Sequence, residues 1–243
     1  MIKAFIVNKY SSRLFIVKEH GVQDSDELLG LEYRESRRHS GTWLWPSEDI
    51  WAWKWLNKIG HWDLPVQIAR LCEHRNLVIQ AGGNAGLYPK QYSRLFQSVV
   101  TLEPDYRNFT CLCRNVPEEN VVKHQAAVGN VESMIELETN PRWSETNTGA
   151  LKIKGHGNIK QITIDSLNLD PDLIHLDVEG FEAFALLGAK ETIARSQPLI
   201  VLETNGSGDE YGWPQEKIDN LLNSWNYEIH VTWNHDTVYK YTG

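Results

Sequence analysis

The amino-acid sequence predicts an α/β fold with a mostly parallel sheet, and three observations carry that prediction. Short apolar runs alternate with segments of helical character through the centre of the chain, the pattern of βα units. One run, Val78-Ile79-Gln80-Ala81, leads straight into Gly82-Gly83-Asn84-Ala85-Gly86, as a buried strand does when it feeds a glycine turn. About 20 residues later Thr101-Leu102-Glu103-Pro104 ends a second run in a carboxylate. Glycines let the backbone approach a ligand and adopt φ > 0, and an acid at the tip of the neighbouring strand can accept both hydroxyls of a ribose. The pair points to a nucleoside-cofactor site; a tight strand-to-helix turn with no cofactor is the competing reading.

The 243 residues suffice for one α/β domain with decorations. We divide them into an N-terminal, Trp-rich helical extension, residues 1–75, and a main domain, residues 76–243. In the extension, Met1 to Val7 and Leu14 to Lys18 pair as a hairpin across Asn8 to Arg13. Trp43, Trp45, Trp51, Trp53, Trp55 and Trp62 follow in one stretch. Ser47-Glu48-Asp49 before Ile50 reads as a helix start, with Ser47 as cap and acids in the first turn, where the helix dipole favours them. Trp51, Trp55 and Ile59 then share one helical face and Trp53 points elsewhere. A second helix runs from Leu64 or Pro65 to about His74, with Pro65 suited to its first turn. The tryptophans pack against the sheet, or else contact substrate or form a lid.

The main domain reads as strand Leu77–Ala81, helix Leu87–Phe96, strand Val99–Leu102, helix Tyr106–Arg114 and strand Val121–His124. Ile135 to Glu138 and Leu151 to Lys154 alternate apolar and charged, as half-buried antiparallel strands do, with Asn140 to Gly149 a loop between them. Ile162 to Asp165 follows, then a short connector. Strand Leu173–Asp177, helix Phe181–Ala194, strand Leu199–Glu203 and helix Pro214–Trp225 follow. Tyr227 to Trp233 and Thr237 to Tyr241 close the chain as an antiparallel hairpin around Asn234-His235-Asp236. Ligands of such sheets bind at the carboxyl ends of the strands, where Gly82, Glu103 and Asp177 converge.

Composition excludes several classes. With 24 basic and 32 acidic residues the net charge is −8, which opposes binding to a phosphate backbone. The local cluster Arg34, Arg37, Arg38 and His39 is a solvated turn or a phosphate contact. Cys72, Cys111 and Cys113 form no paired spacing, so neither a disulfide framework nor a zinc site is expected. Lys3, Asn8, Lys9 and Arg13 interrupt the apolar start, so no membrane span or signal peptide is expected and the cytoplasm is the default location.

Further motifs sharpen the reading. Ile174-His175-Leu176-Asp177-Val178-Glu179-Gly180-Phe181-Glu182 is followed by Leu187-Gly188-Ala189 and by Pro198 to Glu203. With the glycine turn, Asn108-Phe109, Asn115 and Ala126-Ala127-Val128-Gly129, they resemble the FkbM family of S-adenosylmethionine-dependent methyltransferases over roughly residues 77 to 205. The resemblance implies a Rossmann-like class I methyltransferase with a seven-stranded sheet. It implies S-adenosylmethionine as cofactor and a hydroxyl of a sugar or other small molecule as acceptor.

The family pattern Asp-x-Gly-Ala-Asn-x-Gly falls on Gln80, Ala81, Gly82, Gly83, Asn84, Ala85 and Gly86, with Leu87 and Tyr88 opening the next helix. Gln80 replaces the acid that helps hold the cofactor's ammonium; its carbonyl and Asn84 can still hydrogen-bond that end. By the same resemblance Glu103 takes the ribose, Pro104 turns the chain away, and Gln125 and Ala126 flank the adenine. Asp177 stands beside the reactive methyl group. Transfer to a hydroxyl needs a base or metal, for which Asp177 and Glu179 are candidates and His235 a positional one. Glu179 can instead cap the helix beginning near Gly180. Asp177, Glu203 and Asn205 resemble in position the ligands of magnesium-dependent catechol-type O-methyltransferases, a set that suits Mg²⁺ or Ca²⁺. Two other readings stay open: a cofactor-binding module without turnover, suggested by Gln80 and by His175 where the family often has lysine, and a nicotinamide-dependent oxidoreductase. The latter is disfavoured by Ala81, which stands where the first glycine of Gly-x-Gly-x-x-Gly belongs.

Overall fold

The computed structural model describes residues 4–7, 14–18, 21–36, 39, 41–57, 63–139 and 147–243. Strands β1 (Ala4–Val7) and β2 (Leu14–Lys18) pair antiparallel, as expected, and β3 (Gly21–Asp24) adds a third strand; the connecting residues 8–13 lie outside the described residues. After the single turn α1 (Ser25–Leu28), β4 (Leu31–Ser36) and β5 (Gly41–Pro46) form a second hairpin. Helices α2 (Trp51–Leu56) and α3 (Leu64–Leu71) follow, so the described residues of the extension are built more from strands than from the helices expected.

Helix α2 differs from the sequence expectation at its start and in its inward face. Asp49, not Ser47, is the cap: its Oδ1 accepts from Ala52 N at 2.9 Å, whereas the Ser47 hydroxyl donates to Glu48. Trp51, expected on the packed face, is 49% exposed. Leu56 is buried instead, and Trp53 packs edge-on against Trp45 at 5.4 Å. Periodicity finds a helical stripe but not the side on which its partner lies. Ile59, Trp62 and the side chain of Trp55 lie outside the described residues. Trp43, Leu44, Trp45 and Leu56 form a buried cluster with Ala85 and Cys111 of the main domain. Each such aliphatic or aromatic side chain contributes about 1.5–3 kcal/mol by leaving water.

Polar contacts fasten the same face. Asn115 accepts from Leu44 N and donates to Leu44 O, both at 2.8 Å, and donates to Ala85 O at 2.7 Å. One side chain thus pairs with β5 as a neighbouring strand would. Arg107 pairs with Glu48. Arg34 donates to the carbonyls of Asp49 at 2.6 Å and Ser47 at 2.7 Å, so it serves a turn, not a phosphate; Arg37 and Arg38 lie outside the described residues.

The main domain runs β6 (Leu77–Ala81), α4 (Leu87–Tyr92), β7 (Ser98–Leu102), α5 (Tyr106–Asn115) and β8 (Val121–His124). Next come β9 (Ala127–Val128), β10 (Ser133–Thr139), β11 (Leu151–Ile162) and β12 (Leu173–Leu176). Helices α6 (Glu182–Leu187) and α7 (Lys190–Ser196), β13 (Leu199–Glu203), α8 (Gln215–Asn223), β14 (Tyr227–Trp233) and β15 (Asp236–Tyr241) finish the chain. The seven-stranded sheet has the order β14-β15-β13-β12-β6-β7-β8, parallel from β13 to β8 and antiparallel at β15 and β14.

Chain order reverses at β6, whose neighbours are β7 and β12, so a crevice opens beyond the carboxyl ends of these strands. Alternate residues feed the two faces. Ile79, Leu102, Ile174 and Leu202 pack against α6, α7 and α8. Val78, Val99, Leu173 and Val201 pack against α3, α4 and α5. Ile162 ends β11, paired with Val128, and Asp165 opens a 3-10 turn. Its carboxylate accepts from Glu191 N at 3.2 Å and Thr192 N at 2.8 Å, capping α7 and splitting the expected single helix near Gly188. Among the described residues no helix is long and apolar enough to cross a membrane.

Candidate active site

The site grows from the end of β6. Gly82 takes φ +87°, and a Cβ there would stand 1.8 Å from the carbonyl oxygen of Asp177, so no other residue fits. Gly82 N and Gly83 N both donate to Leu102 O, at 3.0 and 2.9 Å, which draws the turn toward β7. Immediately after β7, Glu103 is 5% exposed. Its Oε2 accepts from Asn84 N at 2.7 Å and its Oε1 from Asp105 N at 2.9 Å. Burial pushes its pKa up to about 8, against the pull of these two amides.

Between β6, β7 and the β10–β11 hairpin lies an open cleft. Ala81, Gly82, Glu103, Pro104, Ala126 and Asp177, all expected at the cofactor, line it together. Gly83, Asn84 and Gly86 shape the turn beneath. Leu137, Gly149, Leu151 and Ile153 supply the facing wall, which sequence reasoning did not assign. Its only signal was the apolar half of the alternating pattern in the two strands.

Four expected cofactor residues are elsewhere. Gln80 is fully buried: its Oε1 accepts from Thr101 Oγ1 at 2.6 Å and its Nε2 donates to Gly82 O at 2.9 Å. It braces the turn and does not line the cleft. Leu87 packs on the cluster around Trp45. Tyr88 stacks on His175 with ring centroids 5.2 Å apart. Gln125 is exposed and outside the cleft, because the chain turns Ala126, Ala127 and Val128 inward.

An acidic centre occupies the other end. Oxygens of Asp177, Glu179 and Glu203 lie within 4.8 Å of one another. Burial raises the pKa of Asp177, opposed by its hydrogen bond to Glu203; burial raises that of Glu203 too, followed by the charge of Asp177. Glu179 sits at φ +55°, one oxygen buried without a partner, its pKa pushed up to about 8 by burial and by Asp177. It is not the expected cap: Glu182 holds the turn, accepting from Val178 N at 3.0 Å and Gly180 N at 3.3 Å.

Asn205, expected as a metal ligand, donates to Glu203 Oε2 at 2.8 Å and accepts from Ser207 N at 2.9 Å, so it orients Glu203 while Glu179 takes its place in the trio. His235 is an exposed turn residue whose carbonyl accepts from Thr204. Sequence reasoning missed Glu182 and Asp236. Asp236 faces Glu203 across the β13–β15 register, its pKa raised to about 7 by burial and by Asp177. His175, fully buried with Tyr92 OH 2.8 Å from its Nδ1, is held neutral, its pKa lowered to about 3 by burial.

The profile of the methyltransferase FkbM domain matches residues 82–229, more than half of the sequence. The chain belongs to that family. Its sheet and crevice are those of a Rossmann-like class I S-adenosylmethionine-dependent methyltransferase. An FkbM methyltransferase from Methylobacillus flagellatus KT is 21% identical at a TM-score of 0.46, over 69% of this chain and 44% of that one. The present chain thus spans less than half of that FkbM relative. A ribosomal protein L11 methylase from Lactobacillus delbrueckii subsp. bulgaricus is 10% identical at a TM-score of 0.48, over 74% and 79% of the two chains. No curated protein matches the sequence. Against the FkbM pattern, Gln80 is the departure that the geometry explains: an amide can both donate to Gly82 O and accept from Thr101.

Proposed function

We propose that the protein transfers a methyl group from S-adenosylmethionine to a hydroxyl oxygen of a small molecule, with a sugar the expected class among FkbM relatives. The observation that carries this reading is the convergence of Asp177, Glu179 and Glu203, whose oxygens lie within 4.8 Å of one another, beside a cleft that also presents Glu103. The residues fit the cofactor: Glu103 offers a buried acceptor for a ribose, and Ala126, Leu137, Leu151 and Ile153 offer apolar walls for a purine. The acidic centre suits the positive charge near the sulfur. Bound there, the cofactor supplies an electrophilic methyl group and departs as S-adenosylhomocysteine.

The chain's own part is proton management and placement. Closely spaced buried carboxyls resist ionising together, and the one left as an anion accepts a hydroxyl proton as the oxygen attacks. Asp177, fixed at the end of β12 against Gly82, is the base we assign, with Glu203 its proton-sharing partner and Asn205 holding Glu203. Glu179 supplements them. A net charge of −8 favours a small acceptor over nucleic acid. A divalent cation such as Mg²⁺ is a second reading, favoured by the convergence of Asp177, Glu179 and Glu203.

The test is transfer of labelled methyl to a panel of sugars and small alcohols. In Asp177→Asn, turnover should fall about 10²- to 10⁴-fold, the range for loss of a general base, with S-adenosylhomocysteine affinity nearly unchanged. Full activity in that variant would overturn the assignment. Activity lost to chelator and restored by Mg²⁺ selects the cation reading; indifference to chelator selects the carboxylates alone.

A further inference from the structure

Thr148 belongs to neither β10 nor β11, yet all of its polar groups are taken. Asp49, fully buried at the start of α2, accepts through Oδ2 from Thr148 N at 3.1 Å and from Thr148 Oγ1 at 2.7 Å. Asn108 of α5 donates to Thr148 O at 2.9 Å, and its Oδ1 lies 3.2 Å from Thr148 Oγ1. Asp49 is itself pinned, since its Oδ1 caps α2 and its carbonyl accepts from Arg34. The next residue, Gly149, lines the cleft, and a Cβ there would stand 2.6 Å from Asn84 Nδ2. Asn84 N in turn donates to Glu103. A continuous path of contacts therefore runs from the N-terminal extension through Thr148 and Gly149 to the carboxylate at the ribose position.

We propose that Asp49 and Thr148 form a strut that fixes the outer wall of the cleft, making the N-terminal extension a determinant of cofactor retention. The inference rests on the reading of the cleft as the S-adenosylmethionine site. Leu151 and Ile153 can cover a purine only while the segment leading into β11 keeps its place, and Thr148 is where that segment is held. A carboxylate accepting two hydrogen bonds makes a stiff anchor, because charge-assisted bonds are stronger than neutral ones. Preorganising the wall lowers the ordering cost at binding, and its loosening is read as faster release. Asp49 and Thr148 are positioning residues that act through Gly149 and the wall.

The experiment uses the full chain with S-adenosylhomocysteine as probe, measuring equilibrium affinity and the dissociation rate. Thr148→Val, which removes the hydroxyl and keeps the shape, should raise Kd about tenfold, chiefly through dissociation, the effect of one charge-assisted hydrogen bond. Thr148→Ser should restore binding to within about twofold, since it returns the hydroxyl. Asp49→Asn can still cap α2 and should reproduce the Thr148→Val effect. In the ligand-free protein the same variant should speed hydrogen exchange at the Thr148 amide. Unchanged dissociation in both Thr148→Val and Asp49→Asn, or a lowered unfolding midpoint with unchanged dissociation, would overturn the strut while leaving the cofactor site standing. Failure of the unaltered protein to bind the probe would overturn both.

Discussion

With Glu103 as the proposed ribose acceptor, cofactor binding should be a proton-linked event. The Glu103 carboxyl, pushed up to about 8 by burial, is protonated at pH 6 in the ligand-free protein. A ribose diol donates two hydrogen bonds and is best met by the anion, so binding below pH 8 releases a proton. The affinity for S-adenosylhomocysteine should rise about tenfold per unit between pH 6 and 8 and flatten above. The full span is worth about 2.7 kcal/mol. Glu103→Gln keeps the shape but forfeits the charge; at pH 8 it should lose about 1.5–3 kcal/mol of affinity, with a smaller gap at pH 6.

The same shift sets the sign for stability. The folded pKa lies above the ordinary 4.5, so the folded state holds the extra proton. This contribution is complete below about 4.5 and is lost as pH rises through 8. Stability relative to Glu103→Gln should therefore fall across that window. Titration calorimetry at pH 6, 7 and 8, in pairs of buffers with different ionisation enthalpies, counts the released protons. No proton release at pH 7, with parallel pH profiles for both proteins, would refute the reasoning.

Two further outcomes follow from the packing. Gln80→Glu sets a carboxylate oxygen against the carbonyl of Gly82 in a fully buried place, so it should cost about 2–4 kcal/mol in urea unfolding. Tighter cofactor binding at no cost in stability would instead return Gln80 to the ligand. Asn115→Ala leaves the N–H and C=O of Leu44 and the carbonyl of Ala85 unpaired, and should cost about 3–5 kcal/mol by the same measurement. A loss under about 1 kcal/mol would show that the tryptophan cluster holds the extension without it.

The central sheet was legible because buried parallel strands are written as largely apolar runs: Leu77–Ala81 and Leu199–Glu203 have the bounds their sequences suggest, as does the more exposed edge strand Val121–His124. Glu103 and Asp177 were legible as strand-end carboxylates at the cleft because both stand where such a run stops. What escaped depends on partners distant in the chain. Gln80 is engaged by Thr101 on the next strand, so its likeness to the family acid misled. Asn205 looked like a ligand beside Glu203, yet its oxygen accepts from Ser207 N and its amide donates to Glu203. Asp236 enters the acidic centre only through strand register, and Leu151 and Ile153 reach the cleft only because β10 and β11 fold back over it. Asp49 lost the cap position to Ser47 in the reading because three polar residues in a row offer local spacing no means of choosing.

The contact between Gly82 and the Asp177 carbonyl ties the two halves of the site into one piece of backbone. The glycine turn proposed to seat the cofactor and the strand end that carries Asp177, the proposed base, share an atom-to-atom boundary with no side chain between them. Their separation is therefore insulated from repacking elsewhere in the core. Changes to the surrounding walls can alter which acceptor enters without shifting the base relative to the transferring carbon. A scaffold so arranged can diversify its substrates while its reaction distance is inherited intact.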